Sequence, residues 1–218
     1  MHNPLDHFWQ LRLETCRQAL EANRFEAFVV ESPDAARRLF YDTIRPQLEV
    51  RSAAWGDSMT LLATGILDDL RRDAGVSFID TFDPSVPRET LMERRREALL
   101  ADLFLTGTNA VTEAGQLVNL DMIGNRTGGI TFGPRHVVIV VGRNKIVPDL
   151  VRAMERVKNY AAPLNAIRHE GWQTPCRETG RCIDCNSRHR ICNTWTITEK
   201  SYPAGRIKVI LVNADLGL

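Results

Sequence analysis

The chain has no marked excess of charge of either sign: 28 Lys and Arg face 27 Asp and Glu, a formal charge of +1 over 218 residues. Scattered basic residues on a near-neutral chain offer no broad cationic face for a phosphate backbone, so nucleic acid is not an expected partner. Long apolar runs are also missing. Val137-Val138-Ile139-Val140-Val141 is about a quarter of the roughly 20 residues a helix needs to cross hydrocarbon, so no membrane span is expected. The opening Met1-His2-Asn3-Pro4-Leu5-Asp6-His7 has no basic stretch followed by an apolar core, so no signal peptide is read and a cytoplasmic setting that keeps thiols reduced is expected. Internal repeats, low-complexity tracts and linker-like segments are absent. What is there, 44% hydrophobic and 25% charged residues, is ordinary globular composition and excludes collagen-like, coiled-coil and disordered classes. A chain of this length buries about 70% of its extended surface without cross-links, so one α/β domain over residues 1–218 is expected.

Periodicity sets the order of elements. Leu5, Phe8, Trp9, Leu13, Cys16 and Leu20 recur every three or four residues, which predicts an amphipathic helix over residues 4–23 with Cys16 as a small buried hydrophobe. An apolar run at 27–30, a helix start at Ser32-Pro33-Asp34 and a strand at 48–52 follow, so residues 1–45 form a helical and βα portion. A small-residue loop at 54–60 opens a helix reaching Gly75, then come a strand at 76–79 and a charged helix at 88–101. Such alternation packs as a parallel sheet covered on both faces. Beyond Asp102 the pattern changes. Short apolar runs over 103–120, broken by Glu113-Ala114-Gly115, predict antiparallel strands and tight turns. Loops are read at 124–129 and 132–134, a strand at 136–141, a helix at 148–160, a cysteine-rich loop over 171–193, and strands at 194–198 and 207–212.

Three constellations carry chemistry. Cys176-x5-Cys182-x2-Cys185-x6-Cys192 is the strongest, because a Cys-x2-Cys pair lets two thiolates converge on one ion and two more complete a tetrahedral set. Four soft sulfurs suit zinc or an iron–sulfur cluster, and the spacing does not separate the two. Free or redox-labile thiols, or a Cys182–Cys185 disulfide, are the plain alternative, and His189 is read as a solvated loop residue. Gly56-Asp57-Ser58-Met59-Thr60 sits at a strand-to-helix junction, where amide N–H groups and the Ser58 and Thr60 hydroxyls suit an anion. No Gly-Lys-Ser/Thr ending makes it a P-loop, and Asp57 or Ser58 capping a helix explains it without a ligand. The third is polar: Thr106, Thr108, Asn109, Glu113, Asn119, Asp121, Asn125 and Arg126. Asn109, Asn125 and the planar fork of Arg126 suit a carboxylate or phosphate, with Glu113 as base or nucleophile, although the Glu-Ala-Gly tip also reads as a hairpin turn. Lys145, after an apolar strand, lies where open α/β sheets place ligands; a solvated loop lysine is the alternative.

Taken in order, Trp55-Gly56-Asp57-Ser58-Met59-Thr60, Thr106-Gly107-Thr108-Asn109-Ala110-Val111-Thr112-Glu113-Ala114-Gly115, Leu117-Val118-Asn119-Leu120-Asp121, Gly124-Asn125-Arg126 and Val140-Val141-Gly142-Arg143-Asn144-Lys145-Ile146-Val147 resemble the LUD (lactate utilization, DUF162) family over roughly residues 50–218, and its cysteine-containing branch. The resemblance implies a three-layer Rossmann-like sheet of the ribose-phosphate isomerase, glucosamine-phosphate deaminase and CoA-transferase type. It also implies a cytoplasmic role in L-lactate oxidation beside iron–sulfur subunits, with phosphate or CoA at Gly56, Ser58 and Thr60 and chemistry at Glu113. Members without the cysteine segment suggest that the segment has a separate metal or redox duty. Two readings follow. One is an accessory redox or metabolite-binding protein of 2-hydroxy-acid oxidation, taking a small anionic metabolite or nucleotide. The other is a stand-alone enzyme for a phosphorylated or CoA-linked substrate, with Glu113 as base or nucleophile and Arg126 and Lys145 holding the anion. A module that binds another protein is the third possibility.

Overall fold

The most apolar stretch of the chain sets the layering. The computed structural model describes residues 4–218; residues 1–3, the start of the portion expected over 1–45, lie outside the described residues. The elements run α1 (Pro4–Ala22), β1 (Glu26–Val30), α2 (Pro33–Leu39), β2 (Ser52–Trp55), α3 (Met59–Leu62), α4 (Ile66–Arg72), β3 (Ser77–Ile79), α5 (Arg88–Glu97), β4 (Leu103–Thr106), β5 (Ala110–Thr112) and β6 (Leu117–Asp121). They continue with α6 (Asn125–Thr131), β7 (His136–Gly142), β8 (Ile146–Val147), α7 (Leu150–Arg156), α8 (Ala162–Arg168), α9 (Pro175–Thr179), β9 (Thr194–Thr198) and β10 (Ile207–Val212). Six strands form a parallel sheet in the order β1-β10-β7-β4-β2-β3. On β7, Val137, Ile139 and Val141 pack with Leu13, Cys16 and Leu20 of α1, whereas Val138 and Val140 pack with Phe40, Leu61 and Leu67 on the other side. A strand with apolar residues on both faces must be covered twice, and the three-layer Rossmann-like arrangement follows.

A second sheet, β8-β5-β6-β9, holds the antiparallel pairs. Val111, Leu117 and Ile146 turn one face of it into the α1 side of the main core. Ala110, Val118 and Leu120 meet Ala153 and Val157 on the other.

Several boundaries differ from the sequence expectation. The strand expected at 48–52 begins at Ser52, because Ala53, Ala54 and Trp55 are the residues that pair with β4. The helix expected up to Gly75 is broken by Gly65 in the left-handed region into α3 and α4. Leu103–Thr106 is a central strand of the parallel sheet, and the antiparallel insert begins only at β5. Residues expected as a loop at 124–129 form most of α6, where Gly129 brings the helix so close to Phe104 that a Cβ would lie 2.7 Å from its ring.

The β5–β6 turn is a hairpin docked on α1. Gly115 has φ +76°, a Cβ there would lie 2.7 Å from backbone atoms of Ala19 and Leu20, and Asn23 Nδ2 donates to Ala114 O at 2.8 Å. Left-handed strain and a backbone clash act together, so Gly115→Ala is expected to cost about 2–3 kcal/mol, measured as a lower urea midpoint with an unchanged slope.

Candidate functional site

Parallel strands send their following loops to one edge of the sheet. Gly56–Ser58 follow β2, Gly107–Asn109 follow β4, Arg143–Lys145 follow β7 and Ala214–Leu218 follow β10. The chain leaves β2 toward β3 but proceeds from β4 toward β7 and β10, so the order reverses between β2 and β4. A crevice opens at such a reversal. Here it is a cleft of about 760 Å³ lined by Asp57, Ser58, Gly107, Asn109, Asn125, Arg126 and Lys145, with α5, Arg168, His169, Trp172, Arg188 and His189 closing its sides.

Of the residues expected to hold an anion, several face the cleft with their polar atoms already engaged. Arg126 is buried and uses its whole fork internally: Nε donates to Asp121 at 3.3 Å, Nη1 to Asn119 Oδ1 at 2.8 Å and Gly107 O at 3.4 Å, and Nη2 to Asn109 Oδ1 at 2.9 Å and Leu120 O at 3.1 Å. Asn109 Oδ1 also accepts the Leu120 N–H at 2.9 Å. Ser58 caps α3, its Oγ accepting the Leu61 N–H at 3.1 Å, and α3 has only four residues. Gly56 serves packing, since a Cβ there would lie 2.9 Å from Thr106 Oγ1 and 3.0 Å from Arg126 Cγ. Asn125 lines the cleft at the start of α6.

Glu113 is not brought to this cleft. It follows β5 under α1, where its carboxylate pairs with Arg12 at 2.6 Å. The acid and base candidates that do line the cleft are Asp57, Asp121, His169, His189 and Lys145, and Asp121 is engaged by Arg126. Asp57 is ion-paired with Arg168. The His169 ring stacks on Trp172 with centroids 4.3 Å apart, and burial, with Arg168 and Arg177 adding to it, lowers its pKa.

Two features were not read from sequence. The first is the face of α5. Arg88, Leu91, Met92 and Arg95 all line the cleft, spaced as one stripe of a helix. Among the described residues neither arginine makes an ion pair or a side-chain hydrogen bond; Arg95 lies over the Phe82 ring at 4.7 Å and its Nε is buried without a partner. Burial, then the neighbouring Arg88, lowers the pKa of Arg95, against the opposing pull of the Asp121 carboxylate. The signal available in sequence was the i, i+7 spacing of two arginines.

The second is the environment of Lys145, which is 5% exposed rather than solvated. Its Nζ lies 2.8 Å from Thr60 Oγ1, and among the described residues it makes no ion pair. Burial, with Arg156 and Arg126 adding repulsion, pushes its pKa down to about 7.

The four clustered cysteines line one small pocket of about 20 Å³ together with Asp184, Arg190 and Lys158. Cys176 Sγ is 3.3 Å from Thr174 Oγ1, Cys182 Sγ accepts the Asp184 N–H at 3.5 Å, and burial pushes the Cys192 thiol up to about 11. The donor set suits a thiophilic metal in kind. Even so, no group of three or more His, Cys, Asp or Glu among the described residues is gathered closely enough to hold an ion. Cys16 stands apart, on the buried face of α1, with its thiol pushed up to about 12. No helix of the described residues is long and apolar enough to cross a membrane.

The family model for the LUD domain matches residues 13–212. A solved DUF162 family protein from Deinococcus radiodurans superposes with a TM-score of 0.52 at 16% identity, over 94% of this chain and 98% of that one. The eIF2B delta protein from Chaetomium thermophilum aligns over 66% of this chain and 53% of that one, at 13% identity and a TM-score of 0.30. No curated protein matches the chain.

The Lys145 environment has a consequence for stability. A lysine whose folded pKa is depressed favours the unfolded state wherever that state holds the extra proton, so stability rises with pH between the folded and unfolded values. Lys145→Met is therefore expected to stabilise the protein most below pH 7, with the gain shrinking from about pH 7 to about pH 10.5. Thermal unfolding of both proteins across that range tests it; a gain independent of pH contradicts the burial of an unpaired amine.

Proposed function

Because the chain belongs to the LUD domain family, and its cleft is flanked by Arg88 and Arg95, which make no ion pair among the described residues, we propose that it is a metabolite-binding protein of 2-hydroxy-acid oxidation that takes an anionic ligand against α5. Lactate utilization enters through the family's name; the anion enters through chemistry. The observation that carries the reading is the Arg88 and Arg95 pair, projected from one helix face into the cleft with no ion pair among the described residues. Guanidinium groups hold carboxylate or phosphate by paired, charge-assisted hydrogen bonds. Between them and the strand ends, Met59, Phe82, Met92, Met122 and Trp172 supply an apolar wall. The cleft falls within the roughly 300–1,000 Å³ of small-molecule sites. A three-carbon acid fills a small part of it, so the ligand has an apolar or planar body besides its anionic group, as a nucleotide does.

The alternative of a stand-alone enzyme with Glu113 as base draws no support from the position of that residue beside Arg12. The cysteine loop supports a second element of the proposal: a zinc ion or iron–sulfur cluster that would draw Cys176, Cys182, Cys185 and Cys192 together from the one pocket they line. Such a group supplies either a structural clasp or an electron relay to iron–sulfur partner subunits.

Differential scanning fluorimetry with L-lactate, pyruvate, AMP and CoA is expected to show stabilisation by at least one anion, and Arg95→Gln and Arg88→Gln are each expected to weaken that binding about tenfold by calorimetry. No response to any of the four at millimolar concentration contradicts the proposal. For the cysteine loop, elemental analysis of anaerobically purified protein is expected to find near-stoichiometric zinc or iron that Cys182→Ser and Cys185→Ser abolish. Metal-free protein, or metal unchanged in the variants, removes that element.

A further inference from the structure

The buried amine of Lys145 has one neighbour that orients it and none that blocks it. Thr60 has a single hydroxyl proton, and that proton is donated to Leu216 O at 3.1 Å. At the Lys145 contact the Thr60 oxygen is therefore the acceptor of an Nζ–H, at 2.8 Å. The lone pair of a neutral Nζ is left free, on a group that lines the cleft. The loop after β10 holds this arrangement from behind. Gly217, φ +66°, passes so close that a Cβ would lie 2.5 Å from Thr60 Oγ1 and 3.3 Å from Lys145 Nζ, and the Leu216 N–H is anchored on Asn144 Oδ1 at 3.1 Å. Among the described residues an ammonium at this point makes no ion pair and finds one hydroxyl acceptor, beside the guanidinium groups of Arg126 and Arg156. Both facts favour the neutral amine, as does a pKa lowered to about 7. A desolvated lysine next to other cations is the arrangement in which an amine becomes a nucleophile toward carbonyl groups.

We propose that Lys145 Nζ condenses reversibly with the carbonyl group of an anionic carbonyl compound, a 2-oxo acid or a phosphorylated aldehyde or ketone, bound in the cleft. The amine attacks the carbonyl carbon to form a carbinolamine. The carbonyl oxygen then leaves as water with the two hydrogens of the amine, and a C=N bond to Nζ replaces C=O. No oxidant or reductant takes part. Thr60 is a positioning residue, presenting the lone pair toward the cleft. The inference rests on the anion-binding reading of the same cleft and adds the electrophile to it; a 2-oxo acid is the direct oxidation product of a 2-hydroxy acid.

Four lysines in the chain, Lys145, Lys158, Lys200 and Lys208, make the test tractable. The protein is incubated at pH 7 with pyruvate or with glyceraldehyde 3-phosphate in the presence of cyanoborohydride, and the reduced adduct is located by peptide mass spectrometry. With a pKa of about 7, against about 10.4 for an ordinary lysine, Lys145 has on the order of a thousandfold more free amine at this pH. The expected result is one saturable adduct on Lys145, of mass equal to the carbonyl compound less water plus two hydrogens, and absent from Lys145→Arg. Thr60→Val is expected to slow trapping about tenfold, whereas Thr60→Ser retains the rate. Labelling spread over the four lysines overturns the inference, and so does an anion that binds by calorimetry yet is never trapped; in the latter case anion binding itself stands. If neither compound binds nor is trapped, the inference falls, and the reading beneath it falls as well if L-lactate, AMP and CoA also fail to bind. Mapping on the wild-type chain decides the question even if the Lys145 variant does not fold.

Discussion

A buried guanidinium needs acceptors for every N–H it carries, and Arg126 finds them on two separate pieces of chain. Gly107 and Asn109 belong to the loop after β4, and Asn119, Leu120 and Asp121 to β6. One side chain thus ties the parallel sheet to the smaller antiparallel one at the edge where the strands of the first sheet end. The floor of the cleft depends on that tie. Without it the β4–β5 loop keeps only its neutral hydrogen bonds to β6, through Thr108 and Asn109, and Asn119 keeps a buried Nδ2 that already lacks a partner. A buried charge hydrogen-bonded on all sides is difficult to rearrange, because breaking any one contact leaves a group unsatisfied in a poorly hydrated place.

That engagement also sorts the cations of the cleft into two kinds. Arg126 and Arg168 answer protein groups: the first a network of amides and Asp121, the second Asp57. Arg88 and Arg95 make no ion pair among the described residues, with Asp121 acting on Arg95 only from a distance, and Lys145 answers a neutral hydroxyl. Uncompensated positive charge around a concave, partly apolar surface is costly to hold in an empty site, and it is relieved by an anion from outside. The near-neutral composition of the whole chain conceals this local imbalance. Like charges are gathered at one sheet edge, while ion pairs on α1 and on the α2 and α4 side neutralise the rest of the surface.

The period-2 and period-3.6 patterns gave the layers correctly, because β7, β10 and α1 are each long enough to display a full repeat. Short elements were misread where tertiary packing overrides local preference. The α6 segment is rich in glycine and reads as a loop, yet those glycines let it lie against Phe104 and Leu99. Lys145 and Arg126 could be picked out as residues at strand ends, but their environments could not, since burial and the engagement of a fork depend on chain segments far away in sequence. Glu113 looked chemical because it lies among polar residues. Its partner, Arg12, is a hundred positions earlier and invisible to any local motif. The cysteine spacing predicts four sulfurs converging on one ion; the four line one pocket, and how closely the sulfurs approach depends on the packing of the loop, which spacing does not encode.

The central claim is that the free positive charge of α5 and the strand ends exists to receive an anion. Diffraction from crystals soaked in bromide tests it most directly, because bromide scatters anomalously and finds exposed, uncompensated cations. The expected result is an anomalous peak in the cleft within hydrogen-bond distance of Arg95, displaced when a carboxylate or phosphate ligand is added. A cleft with no peak, while bromide occupies other surface arginines, contradicts the account.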